Sequence, residues 1–257
     1  MTESNVNPQH KRFNGAVWYE KAQGDVLTLV GAGGIGSWLS LYLYSSGAEI
    51  FLYDSDLFET HNSSGQLFFH KDVTKPKPEA VKNLCKAVRT SESSFRNINE
   101  HFKEDSMVCK RMFVGTDSFS SRKLCFERWK QVHGNDPEAI YIDGRLSFSK
   151  IQIFTVRGGT PEVEGYLNTV FNDDDFPEAE CALKQNTAIA AKIGTFMWDK
   201  YVNHLTNLQA GEQIGNPNLV VADVSFYFEY DSTSGRGRKC KTYEDYGNVF
   251  DRPKLQD

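Results

Sequence analysis

The chain has 257 residues, enough for one large domain or two small ones with a sizeable core, and its 39% hydrophobic and 25% charged residues are ordinary for a globular fold. A net charge of −5 leaves no basic excess to drive counterion release from nucleic acid, so no nucleic-acid partner is expected. No apolar run approaches the roughly 20 residues of a membrane span, and the polar start MTESNVNPQHKR does not read as a signal peptide; the expectation is a cytoplasmic protein without a membrane partner. The cysteines (Cys85, Cys109, Cys125, Cys181 and Cys240) are odd in number, scattered and without a CxxC pair, which reads as free thiols rather than disulfides or a zinc site.

Residues 1–12 read as a flexible or partner-bound arm, and Phe13 to Tyr19 as a short helix. Val26–Val30 then forms a buried strand, followed by a turn carrying Gly31, Gly33, Gly34 and Gly36, a helix to about Ser46, and a strand Glu49–Tyr53 that ends at Asp54. The spacing Gly31-x-Gly33-x-x-Gly36 is the dinucleotide fingerprint. One glycine makes the tight turn, one admits a phosphate to the backbone, and one lets helix and strand pack closely. The free N–H groups at the helix start attract an anion, and an acid at the next strand tip holds ribose hydroxyls. That is the role expected of Asp54.

From Leu57 to Val73 the chain reads as a long polar loop ending in Gln66-Leu67-Phe68-Phe69, and loops of this length are often functional. Lys75-Pro76-Lys77-Pro78 opens a helix to about Arg89, with proline tolerated in the first turn. Phe95–Phe102 is a third strand and Arg111–Val114 a fourth, running into Gly115-Thr116-Asp117. Ser118 or Ser120 caps the next helix, which ends near His133, and Ala139–Asp143 is a further buried strand before Gly144 and Arg145. This βαβα alternation predicts a parallel sheet with ligands at its carboxyl edge.

The pattern changes after Lys150. Ile151–Val156 alternates like an antiparallel strand, residues 158–180 form an acidic crossover loop, and Cys181–Leu208 is a long helix. Leu219–Tyr230 reads as one alternating strand whose stripe Phe226, Phe228, Tyr230 faces the core. Residues 231–257 read as a tail, including the basic stretch Arg236–Lys241. The fold class expected is α/β: a Rossmann-like, mostly parallel sheet with helices on both faces, extended by antiparallel strands after the crossover loop, in a single domain. His61, His70 and His101 sit in no metal or triad spacing and read as surface or loop residues.

In order, the runs VGAGGIGS, YDSD, NSSGQLFF, KPKPEA, VGTDSFSSR and AECALKQNTA resemble the ThiF/MoeB superfamily, whose fold is shared with ubiquitin-activating enzymes. The resemblance spans roughly Arg12 to Leu208. It implies an adenylyltransferase that uses ATP and magnesium to activate a carboxylate, such as the C-terminus of a small ubiquitin-like protein or peptide, in a homodimer. The glycine loop would hold ATP phosphates, Asp54 the ribose, and Lys77 would offset phosphate charge as the carboxylate attacks. Asp117 matches the magnesium acid. Asn62 and Gln66 match the polar members of an Asn-x-x-Arg-Gln stretch, and Arg12 an arginine that reaches the partner subunit's ATP. Cys181, at a helix start that favours a thiolate, matches an acyl acceptor, although Asp173, Asp174, Asp175, Glu178 and Glu180 oppose a low pKa.

One departure stands out: Gly65 occupies the place of the pattern's arginine. It leaves Arg12, Arg122 or Lys75 as substitutes, or makes the chain a non-catalytic partner of a heterodimeric enzyme. An NAD-dependent oxidoreductase remains the third alternative on the strength of the glycine loop and Asp54.

Overall fold

The computed structural model describes residues 13, 15–89, 93–147, 149–173 and 187–249. The arm at 1–12, Arg12, Cys181 and the acidic residues 174–180 lie outside the described residues. Five strands, β1 (Val26–Val30), β2 (Glu49–Tyr53), β3 (Phe95–Ile98), β4 (Arg111–Val114) and β5 (Ile140–Ser147), pair in parallel. Three more, β6 (Lys150–Arg157), β7 (Tyr227–Asp231) and β8 (Arg236–Cys240), extend the sheet antiparallel. The sheet order is β3-β2-β1-β4-β5-β6-β7-β8. The chain therefore leaves β1 towards β2 and β3 on one side and returns to β4 on the other. The crevice at the carboxyl ends of β1 and β4 is a switch point where ligands of such sheets bind.

The helices are α1 (Val17–Ala22), α2 (Gly34–Ser45), α3 (Lys77–Val88), α4 (Phe119–His133), α5 (Glu162–Gly165), α6 (Thr187–Ile214) and α7 (Tyr243–Val249). The central strands are buried on both faces, as their continuous apolar runs require. On one face Leu27, Leu29, Leu52, Phe113, Ile142 and Ile153 meet Leu39 and Leu43 of α2 and Met197, Tyr201 and Leu205 of α6. On the other, Met112, Val114, Tyr141 and Phe154 meet Phe126 and Trp129 of α4 and Tyr246 of α7. The sheet thus has helices on both faces, as expected. No helix among the described residues is long and apolar enough to cross a membrane.

Several elements differ from the sequence reading, each for a local reason. The strand expected at Ala139–Asp143 continues through Gly144 and Arg145 to Ser147, because β6 folds back on it as a hairpin partner. The alternating run from Leu219 is a strand only from Tyr227. Its earlier part is claimed by α6: the Asn207 amide accepts the N–H groups of Val221 and Ala222, at 2.9 and 2.7 Å, and donates to the Ala222 carbonyl at 2.9 Å. The stripe accordingly splits. Phe228 and Tyr230 pack towards α6, whereas Phe226 joins Tyr227 on the opposite face. Residues 236–240, expected within a tail, form β8. Within the expected crossover loop, α5 and a 3-10 turn at Tyr166–Thr169 bury Val163, Tyr166 and Thr169.

Candidate nucleotide site

A cleft of about 490 Å³ opens at the β1–β4 switch point. Its walls include Gly31, Gly33 and Gly34, Asp54 and Asp56, Gln66, Lys77, Thr116 and Asp117, and Arg122. These residues are far apart in sequence, and each arrives by a distinct local device.

The glycine turn is forced by close packing. Gly31 has φ +97°, and a Cβ on Gly36 would stand 1.8 Å from the Gly31 carbonyl oxygen. Only hydrogen at both positions lets β1 pass straight into α2. Gly33 differs, because the nearest atom to a Cβ built there is Gln66 Nε2 at 3.9 Å. Its open side belongs to the cleft.

Asp54 sits at the tip of β2 and accepts the Ala32 N–H at 2.7 Å and the Asp56 N–H at 2.8 Å. The acid thus braces the glycine turn. Burial raises its pKa, and the two backbone N–H bonds and Lys77 oppose that shift.

The long loop after β2 is closed at its base. Leu57 pairs with Pro76, the Phe58 N–H bonds the Lys75 carbonyl at 2.7 Å, and the Lys77 N–H bonds the Asp56 carbonyl at 2.9 Å. This pairing delivers Lys77, at the first residue of α3, to the cleft. Its side chain is 11% exposed and its Nζ lies 2.6 Å from Asp56 Oδ2. The other candidate lysine, Lys75, points to Asp72 at 2.8 Å and Glu79 at 3.8 Å and is not among the lining residues.

Asp117 follows β4 and is exposed. Capping of α4 falls to Ser118, whose hydroxyl accepts the Ser121 N–H at 3.3 Å, so Asp117 does not serve as the helix cap. A second acid, Asp173, accepts the N–H groups of Phe119 and Ser120 at the same helix start. Among the described residues no group of three or more His, Cys, Asp or Glu side chains could hold a metal by itself. The exposed carboxylate of Asp117, which lines the cleft, fits magnesium only together with further oxygen ligands, since that ion is commonly held by one or two carboxylates with substrate oxygens and water.

Other expected site residues fall differently. Gln66 lines the cleft, and its Oε1 is buried without a hydrogen-bond partner. Asn62 is not among the lining residues and commits its Oδ1 to the Glu59 N–H at 2.9 Å. Gly36 lies behind the turn, and Gly65 lies off the cleft with nothing within 4 Å of a built Cβ. His101 is an exposed loop residue, as read, and it also lines the cleft beside Phe102 and Tyr53, with Ser55 Oγ 3.1 Å from its ring nitrogens. Cys85, Cys109, Cys125 and Cys240 are buried; burial pushes the Cys85 thiol up to about 12 and raises the other three, so none offers a thiolate.

The sequence reading missed Asp143. This fully buried acid lies within β5, opposite Val114 at the end of β4, and receives Arg122 on Oδ1, and Arg145 at 2.6 Å and the Tyr166 hydroxyl at 2.8 Å on Oδ2. Arg122 also donates to the Gly144 carbonyl at 3.1 Å and to the Thr116 carbonyl, while Arg145 reaches the Thr169 carbonyl at 2.7 Å. The available signal was an acid in an otherwise apolar strand, two residues before an arginine.

A family model described as the ThiF family matches residues 13–241. The chain belongs to the ThiF family. No curated protein sequence matches it. This ThiF-family chain is similar in structure to Escherichia coli MccB with ATP, at 16% identity and a TM-score of 0.63 over 92% of this chain and 72% of that one. It is also similar to the microcin C7 biosynthetic enzyme MccB in complex with N-formylated MccA (17% identity, TM-score 0.64, 94% and 74% covered). A third likeness is to PaaA (16% identity, TM-score 0.64, 94% and 76% covered). At these identities the likenesses establish a common fold.

Proposed function

We propose that the chain is an ATP-dependent adenylyltransferase that activates a carboxylate, with the C-terminus of a peptide or small ubiquitin-like protein as the acyl group. The observation that carries the reading is the convergence of the glycine turn, Asp54, Lys77 and Asp117 on one cleft. Family membership supports it, as do the structures of MccB with ATP and with AMPCPP and MccA. The chain then works as a single adenylation domain in the cytoplasm, as a homodimer in which Arg12 reaches the second copy's nucleotide.

In this reaction a carboxylate oxygen attacks the α-phosphorus of ATP, the bond to the β-phosphate breaks, and pyrophosphate leaves with its electron pair. The product is an acyl adenylate. Both reactants are anions, so the barrier falls where positive groups are fixed beforehand. Lys77 supplies one such group and α2 directs its first N–H groups at phosphate oxygens. Gln66, whose amide oxygen lacks a partner, orients the nucleotide, and Asp54 holds the ribose. Magnesium held by Asp117 would neutralise phosphate charge. Cys181 is the candidate thiol for a second step, in which its thiolate takes the acyl carbon and AMP departs.

Isotope exchange between pyrophosphate and ATP tests the reading, using peptides with free and with amidated C-termini. Exchange that appears with free carboxylates and vanishes on amidation supports it. Exchange indifferent to amidation contradicts it. The second reading, a non-catalytic partner subunit, is favoured by Gly65 standing where the family pattern has arginine. Because a side chain at 65 meets open space, Gly65→Arg is sterically allowed. A gain of exchange in that variant, with a candidate partner present, would mark a site that has lost activity.

A further inference from the structure

Among the described residues lining the cleft, the acids are Asp54, Asp56 and Asp117 and the cations are Lys77 and Arg122. The lining therefore carries more negative than positive charge, an unfavourable setting for a polyphosphate unless each cation is well used. Lys77 is tied to Asp56. Arg122 is in a different position, because its acid, Asp143, is shared with Arg145. Within the buried cluster two guanidinium groups against one carboxylate leave one positive charge in excess; the further acid that feels Arg122, Asp173, is exposed to solvent and bonded to the Phe119 and Ser120 N–H groups. Burial and then the Arg145 charge push the Arg122 pKa down to about 10, which still keeps it cationic at neutral pH.

From this charge balance we infer that Arg122 is the guanidinium that faces the phosphates of a nucleotide in this cleft, held there as a rigid fork by Asp143 and the Thr116 carbonyl. The inference rests on the nucleotide reading above and adds a phosphate-binding residue to it. The neighbouring alternatives fall away on geometry: Lys75 is paired outside the cleft, and position 65 carries no side chain. Arg145 is positioned behind Arg122, with its guanidinium over the Phe154 ring at 4.1 Å and its donors spent on Asp143, Thr169 and Tyr166. It keeps Asp143 from neutralising Arg122 outright. Asp143 and Arg145 are thus positioning residues, and Arg122 is the group that meets the phosphates.

The test compares ligands that differ only in phosphates. Affinities for adenosine and for AMPCPP with magnesium are measured on the wild type and on Arg122→Gln. Removing a charge-assisted hydrogen bond to the phosphates predicts at least about a tenfold loss for AMPCPP and less than about twofold for adenosine. Equal losses for both ligands, or no loss for AMPCPP, would overturn the inference, since a merely structural arginine would affect both alike. If Arg122→Gln does not fold, Arg122→Lys decides by the same comparison, because lysine keeps charge but loses the fork. Wild type that binds neither ligand would sink the nucleotide reading itself, an outcome distinct from failure at Arg122.

Discussion

Replacing Gly36 by alanine would set a Cβ 1.8 Å from the Gly31 carbonyl oxygen and 2.9 Å from its carbon, where ordinary contact begins near 3.4 Å. Both neighbours are backbone, so the turn and α2 must separate by about 1.6 Å, the gap between 1.8 and 3.4 Å. That movement draws the Ala32 N–H away from Asp54 Oδ2, now at 2.7 Å. Overpacking costs about 1–3 kcal/mol and loss of a hydrogen bond to a charged group about 1.5–3 kcal/mol. Together they imply a Tm lower by roughly 10 °C in a chain of this size. Gly33→Ala is the matched control. Its Cβ meets nothing nearer than Gln66 Nε2 at 3.9 Å, so stability changes by only about 1 kcal/mol through the N-cap preference. The same methyl group would occupy the open side along which a phosphate approaches, and AMPCPP affinity should fall at least about tenfold. Thermal melts and calorimetry on the two variants separate the roles. A Gly36→Ala protein melting with the wild type, or Gly33→Ala binding AMPCPP normally, would refute the geometry argued for the turn.

Two other predictions concern buried charge. His204 is buried and its ring Nε2 lies 2.8 Å from the Glu138 carbonyl; burial pushes its pKa down to about 3, against 6.5 for the free group. The unfolded chain therefore takes up a proton first, and the contribution of this residue to stability is lost as pH falls from 6.5 towards 3. The slope is about 1.4 kcal/mol per pH unit. Urea titrations at pH near 7 and near 5 should show the wild type losing about 2 kcal/mol more than His204→Gln. Asp25 and Asp54, whose pKa values are raised, move the other way but cancel in that difference. A difference independent of pH would refute the buried neutral ring. Asp143→Asn leaves two buried arginines without their acid and should cost about 3–5 kcal/mol in denaturant titration; a change under about 1 kcal/mol would show that the carboxylate is not what holds them.

What could be read from the chain beforehand followed from local chemistry. The spacing of Gly31, Gly33 and Gly36 between two apolar runs specifies the turn, and the β1–β4 crossover then brings Asp54 and Asp117 to one edge. Lys77 was legible as a position, but its delivery depends on the pairing of Leu57 with Pro76, which no periodicity reports. Tertiary claims overrode pattern elsewhere. Asn207 took Val221 and Ala222 out of the expected strand, and the β6 hairpin lengthened β5 past Gly144. The Asp143 cluster was hidden for a related reason: Arg122, Asp143, Arg145 and Tyr166 come from three separate segments, and only the folded sheet makes them neighbours.

The central claim is that the cleft binds ATP through its phosphates with magnesium at Asp117, and calorimetry tests it most directly. The titration pairs ATP plus magnesium with NAD and NADH, on wild type and on Asp117→Ala. Asp117 is exposed, so its loss should leave stability within about 0.5 kcal/mol of wild type. The account predicts binding of ATP that weakens in the variant and loses its dependence on magnesium. Binding of NAD alone, or ATP binding indifferent to both magnesium and Asp117, would contradict it.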